Sequence, residues 1–119
     1  FYPNKGADTN QPGILNIPLP VGTNSSDWNA AVQQGWLPAL REFEPELIFI
    51  SAGFDSHFED DMGGFKLVEA DYQWITRELC LLAKEFSQDR LVSCLEGGYD
   101  LSSLGRSAAA HIKELAEFH

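Results

Sequence analysis

The sequence predicts an α/β protein, a three-layer arrangement in which a parallel sheet carries flanking helices. Segments of strand character alternate with segments of helical periodicity three times along the chain, an order that implies parallel strands joined by right-handed crossovers. Two of the strands are uninterrupted apolar runs that end in small residues, Leu47-Ile48-Phe49-Ile50 before Ser51-Ala52-Gly53 and Leu91-Val92-Ser93-Cys94-Leu95 before Gly97-Gly98. In such sheets reactive groups collect beyond the carboxyl ends of the strands.

The elements follow in order. Phe1 to Gly13 is rich in Pro, Gly, Asn and Asp without periodicity and is expected to be a loop, as if the chain began in mid-structure. Ile14 to Leu19 carries β-branched residues stopped by Pro20 and Gly22, which suits a first strand. Ser25, Ser26 and Asp27 offer oxygens to cap a helix whose apolar face is Trp28, Val32, Trp36, Leu40 and Phe43. Pro38 is expected to kink or divide this helix near Trp36, and Pro45 to end it. Leu47 to Ile50 forms the second strand. A polar loop from Ser56 to Lys66 leads to a helix with Tyr72, Ile75, Leu79, Leu82 and Phe86 on one face, and with Glu69 and Asp71 at its positive end. Leu91 to Leu95 is the third strand, and the last helix is expected to bury Leu101, Leu104, Ala108, Ile112 and Leu115.

With 119 residues, 44% of them apolar, the chain fits one domain over residues 1–119. Eighteen acidic against eight basic side chains give a formal net charge of -10, which opposes nucleic-acid binding. The acidity suits cationic substrates such as lysine side chains or polyamines, although a dispersed soluble protein has the same balance. Cys80 and Cys94 belong to no Cys-x-x-Cys pair and read as buried free thiols. No apolar run reaches membrane-helix length and no basic segment leads into an apolar one, so a soluble protein of the reducing cytoplasm is expected, without membrane contact.

Asp55 follows a strand that has no charge after Glu46, with Ala52 and Gly53 allowing a tight turn before it. It serves either as a metal ligand, carboxylate oxygen being an acceptable zinc donor, or as the cap of the following turn. Tyr99 follows Gly97-Gly98, so its phenol is free either to donate to an oxyanion in a cavity or to pack on the sheet edge. His57, two residues after Asp55, sits beside the acidic run Glu59-Asp60-Asp61 and reads as part of a solvated loop surface. His111 and His119 read as structural or solvent-facing. Asp55 and Glu96 form a conceivable glycosidase pair without specific spacing. A dinucleotide fingerprint, a phosphate-binding loop and a serine-nucleophile elbow are all missing from the sequence.

Ser51-Ala52-Gly53-Phe54-Asp55, Asp60, Gly63-Gly64 and Leu95-Glu96-Gly97-Gly98-Tyr99-Asp100-Leu101 together resemble the zinc-dependent histone deacetylase superfamily, in particular its class II, acetoin-utilisation and acetylpolyamine amidohydrolase-like members. The likeness runs from Phe1-Tyr2-Pro3 through Asn16-Ile17-Pro18-Leu19-Pro20 and Phe43-Glu44-Pro45 to Leu104-Gly105-Arg106-Ser107-Ala108. It implies part of an arginase/deacetylase-like fold and hydrolysis of an acetylated amine, acetyl-lysine or acetylpolyamine, to acetate and free amine. By resemblance Asp55 is the last zinc-binding aspartate, Tyr99 the tyrosine that hydrogen-bonds the substrate carbonyl, and Gly97 and Gly98 the glycines lining the substrate pocket. The chain matches the C-terminal part of the family's catalytic domain; the adjacent histidines that handle protons and the Asp-x-His pair that completes the zinc site belong to the N-terminal part. With one family ligand, the chain alone is expected to bind zinc weakly and to be inactive. The alternative is a non-catalytic α/β module that pairs with another chain, or with a second copy through its exposed sheet edge.

Overall fold

The computed structural model describes residues 12–118. The element order is α1 (Ser25–Gln34), α2 (Trp36–Phe43), β1 (Ile48–Ala52), α3 (Glu69–Phe86), β2 (Leu91–Leu95) and α4 (Leu101–Glu117). β1 and β2 pair in parallel, with Ile48 opposite Leu91 and Ala52 opposite Leu95. The α/β class and the parallel sheet are therefore as the sequence predicts. Phe1-Tyr2-Pro3, most of the expected opening loop and His119 lie outside the described residues.

The first expected strand is a correction: among the described residues no strand forms over Ile14 to Leu19, where Ile14 alone makes a bridge. Pro18 and Pro20 have no N–H to give a ladder, and the Pro20 carbonyl instead accepts from the Thr23 N–H and hydroxyl. Ile17 fills the space beside Gly35, where a side chain on residue 35 would collide with it. The helix divides next to Trp36 as expected, at Gly35, and Pro38 falls in the first turn of α2, where a missing N–H costs nothing. The α1 cap is Asn24, whose side chain accepts the Asp27 N–H at 2.9 Å, in place of the three residues after it.

Every second residue of the strands faces the helices. Ile48 packs with Leu82 and Ala83 and with the half-buried Leu37, Leu40 and Leu79, while Ala52 and Phe54 pack with Leu67, Tyr72 and the half-buried Trp28 and Leu104. Burying one such leucine or isoleucine stabilises the fold by about 1.5–3 kcal/mol. The alternate residues face the other way. Phe49 is 69% exposed and its partner Val92 42% exposed, so the described residues supply the sheet and one helical layer of the three-layer plan. This corrects the expectation for Cys94: Cys80, on the buried side of α3, is buried as expected, but Cys94 stands opposite Ser51 on the uncovered face and is exposed.

α4 also differs from expectation. Its buried side is Ser103, Ser107, His111 and Glu114, whereas Leu101 and Ile112 are exposed. The polar stripe is held by α3: Glu114 accepts from Arg77 Nη2 at 2.7 Å and Gln73 Nε2 at 3.0 Å. Thr76 Oγ1 donates to the Tyr72 carbonyl at 2.6 Å, so at the 2.7 Å contact it accepts from His111 Nδ1, leaving Nε2 to accept from Ser93 Oγ at 2.8 Å. One buried neutral imidazole thus ties α3, α4 and β2 together.

Burial lowers the His111 pKa from its ordinary 6.5. As pH falls, the unfolded chain takes up this proton first, so the contribution is complete above pH 6.5 and declines as pH drops from there toward the folded-state pKa. His111→Phe in the full-length protein should lower stability at pH 7.5 by about 1–3 kcal/mol, since Thr76 and Ser93 lose a partner. It should also remove the part of the stability loss that begins below pH 6.5 in the wild type. Urea unfolding as a function of pH measures both effects.

Candidate active site at the carboxyl ends of the two strands

β1 and β2 stay joined beyond their last ladder pair. The Glu96 N–H donates to the Ala52 carbonyl at 3.0 Å and the Phe54 N–H to the Gly97 carbonyl at 2.9 Å. Because the strands are parallel, Asp55 and Tyr99 both emerge at the same end of the sheet. Phe54 is the buried post beneath them, its ring edge-on to Tyr72 at 5.1 Å and to His111 at 5.7 Å between centroids. Asp55 therefore projects from a fixed backbone.

The Asp55 carboxylate lies over Gly97. A methyl group on residue 97 would stand 3.1 Å from Cγ, Oδ1 and Oδ2 of Asp55, so glycine here leaves the carboxylate its room. Gly98 has φ +133°, a region closed to side chains, and a methyl group there would also press on Leu104 Cδ1 at 2.8 Å. Tyr99 is 60% exposed, and the described residues close no pocket over its phenol. The two glycines, the carboxylate and the phenol predicted from sequence thus occupy one rim.

In the acidic run Glu59 and Asp61 are exposed as expected, but Asp60 is not. Asp60 is only 4% exposed. Its Oδ2 accepts the Tyr99 N–H at 2.8 Å and the Asp100 N–H at 3.0 Å, and its Oδ1 accepts the Met62 N–H at 2.9 Å. Burial opposes the charge, but these three donors outweigh it and hold the Asp60 carboxyl below its usual range. The sequence carried one signal for this, the aspartate's capacity to cap the N–H two residues on, which marks a turn at Asp60-Asp61-Met62. Nothing local announced the bonds to Tyr99 and Asp100, about forty residues away.

His57 is fully buried and also structural. Its Nδ1 accepts the Glu59 N–H at 3.1 Å, which leaves Nε2 to donate to Glu69 Oε1 at 2.9 Å. Arg106 in α4 donates to Glu69 at 2.9 Å and closes on Glu59. The Glu69 carboxyl is held below its usual range by its own backbone N–H and then by Arg106. His57, Glu59 and Glu69 are the one group of three metal-type side chains within ligand distance among the described residues. Both imidazole nitrogens are already engaged and Arg106 sits between the carboxylates, so this is a closed ion-pair network, unsuited to a cation. Asp55 is the residue whose donor chemistry and open placement suit zinc, as one ligand of a set that these residues do not complete.

Residues 1–115 match the family model described as histone deacetylase domain. Type-2 histone deacetylase 2 of Dictyostelium discoideum is 37% identical over 98% of this chain and 8% of that protein. Type-2 histone deacetylase 1 of the same organism is 40% identical over 87% of this chain and 7% of that protein. The solved structure of the histone deacetylase Clr3 superposes with a TM-score of 0.78 at 33% identity, covering 87% of this chain and 17% of that one. The chain belongs to the histone deacetylase family, and it spans under a tenth of those two curated relatives. No helix among the described residues is long and apolar enough to cross a membrane.

Two glycines separate the site from the scaffold. Gly98→Ala in the full-length protein should cost about 1–3 kcal/mol, because it forces an alanine into a glycine-only region. Gly105→Ala, in the interior of α4 with open space around it, should stabilise by about 0.5–1 kcal/mol. Denaturant midpoints of the two variants, moving in opposite directions, check the assignment.

Proposed function

We propose that the chain is the C-terminal part of a deacetylase catalytic domain, residues 1–119 forming one unit, that hydrolyses an acetylated amine to acetate and the free amine. The observation that carries this reading is the join of the two loops: Phe54 bonded to Gly97, the Asp55 carboxylate above Gly97, and Tyr99 two residues further on. Asp55 would hold zinc as a carboxylate ligand. When bound, zinc supplies the positive charge that polarises a carbonyl and acidifies a bound water. Tyr99 donates its phenol to the carbonyl oxygen and stabilises the charge that grows there on attack. Gly97 and Gly98 present bare backbone, past which the stem of an acetyl-lysine or acetylpolyamine can lie. The other ligands and the proton-handling histidines come from outside these residues, so the chain alone is inactive and binds zinc weakly.

A second reading is favoured by one observation. Phe49 and its partner Val92 are exposed on the uncovered face of the sheet, which has two strands among the described residues, a surface that a partner chain or a second copy could cover. A non-catalytic module of this kind would bind a partner without turning over any acetylated amine. The compartment expected is the cytoplasm, and nucleic acid is not an expected direct partner of so acidic a chain.

Tyr99→Phe in the full-length protein should keep fold and zinc content and lower turnover of an acetyl-lysine peptide roughly 100-fold or more, because one oxyanion donor is lost. Asp55→Ala should reduce bound zinc as well as rate, with partial rescue by added zinc. Metal analysis and turnover on both variants decide. Full turnover in Tyr99→Phe together with full zinc in Asp55→Ala would remove the deacetylase assignment.

A further inference from the structure

We propose that Asp60 is a positioning residue for Tyr99: its buried carboxylate fixes the Tyr99–Asp100 backbone and thereby aims the phenol at the reacting carbonyl. The inference rests on the catalytic reading of Tyr99 above and adds a residue that touches neither substrate nor metal. Tyr99 needs such a hold. Its phenol has no hydrogen-bond partner among the described residues and is largely exposed, so nothing at the ring end sets its direction. Gly98, just before it, has no side chain to pack and a backbone of φ +133°.

The loop is anchored on both sides of that weak point. Upstream, the Gly97 carbonyl is held by the Phe54 N–H. Downstream, Asp100 caps α4 by accepting the Ser103 N–H at 2.9 Å. Between these anchors the Tyr99 and Asp100 N–H groups both converge on Asp60 Oδ2, at 2.8 and 3.0 Å. Bonds to an ionised acceptor are shorter and stronger than neutral ones, and stronger still in a site that excludes water. Asp60 belongs to the loop that follows Asp55, with its other oxygen bonded to Met62. The same carboxylate therefore links the loop of the expected metal ligand to the loop of the oxyanion donor and sets their relative position.

Two carboxylate oxygens serve three N–H donors here, and an amide cannot replace them, since its NH2 would confront at least one donor with another donor. Asp60→Asn should therefore release the tyrosine loop while changing no atom of the reacting groups. Asp61→Asn removes the same charge one position away, at an exposed residue, and serves as the control.

The test is steady-state deacetylation of an acetyl-lysine peptide by the full-length zinc-loaded protein as wild type, D60N, D60E, D61N, Y99F and the double variant D60N/Y99F. Zinc content and a melting curve are measured for each. D60N should lower kcat roughly 10- to 100-fold, with KM and zinc content unchanged, and D61N should match the wild type. The double variant should be no slower than Y99F alone, because a misaimed phenol and an absent phenol lose the same interaction. Full turnover in D60N beside a slow Y99F would overturn the positioning role, and so would fully multiplicative losses in the double variant. If D60N does not fold, D60E decides: it keeps the charge but moves it by one methylene, so its kcat should fall with zinc retained, and wild-type kcat would overturn the proposal. Full turnover in Y99F would instead overturn the catalytic assignment of Tyr99, and the positioning role with it.

Discussion

The parallel pairing of β1 with β2, in the register that sets Ala52 beside Leu95, is the constraint on which the site depends. A parallel pair brings both strand ends to one edge, and here the hydrogen bonding runs on past the strands into Glu96, Phe54 and Gly97. Shifting one strand by a residue would turn Ile48, Ile50 and Ala52 away from the helices and move Gly97 from beneath Asp55. Burial of Ile48 and Ala52 therefore enforces the register, and the register places the chemistry. Core and site are two consequences of one pairing.

Charge is managed tightly around that edge. A net charge of -10 makes crowded carboxylates a hazard at this edge, yet the buried Asp60 and the half-buried Glu69 both have donors. Asp60 takes three backbone N–H groups, while Glu69 takes Arg106 and His57. Asp55 is the contrast: no basic side chain pairs with it among the described residues, so its charge remains available for a cation. The energetic difference between satisfied and available carboxylates separates scaffold from site more sharply than their positions in the chain do.

The sequence displayed β1, β2, α3 and α4 because each is a long periodic or uninterrupted apolar segment. It also placed Asp55 and Tyr99 just beyond strands that end in small residues, with a turn cap and a sheet-edge tyrosine as open alternatives; the roles of Asp55, Gly97, Gly98 and Tyr99 came from the family resemblance. It did not display the fate of Ile14 to Leu19, where β-branched residues argue for a strand but two prolines deny it a ladder. The buried side of α4 was misread because its polar stripe is held by Glu114, Arg77, His111 and Thr76 across a helix interface, and periodicity counts only apolar positions. Asp60 was misread for a related reason: in an acidic run, composition points to solvent, and only the distant backbone of Tyr99 and Asp100 reveals burial. Long-range polar pairing is the part of this fold that local pattern does not carry.

The central claim is that the rim formed by Asp55, Gly97 and Tyr99 is a metal-dependent catalytic edge. The most direct measurement is an anomalous-scattering map of zinc in crystals of the full-length protein. The account predicts a zinc ion about 2.0–2.2 Å from a carboxylate oxygen of Asp55, on the side of the sheet end from which Tyr99 emerges. Zinc bound instead between His57, Glu59 and Glu69 with Arg106 displaced, and none at Asp55, would contradict it.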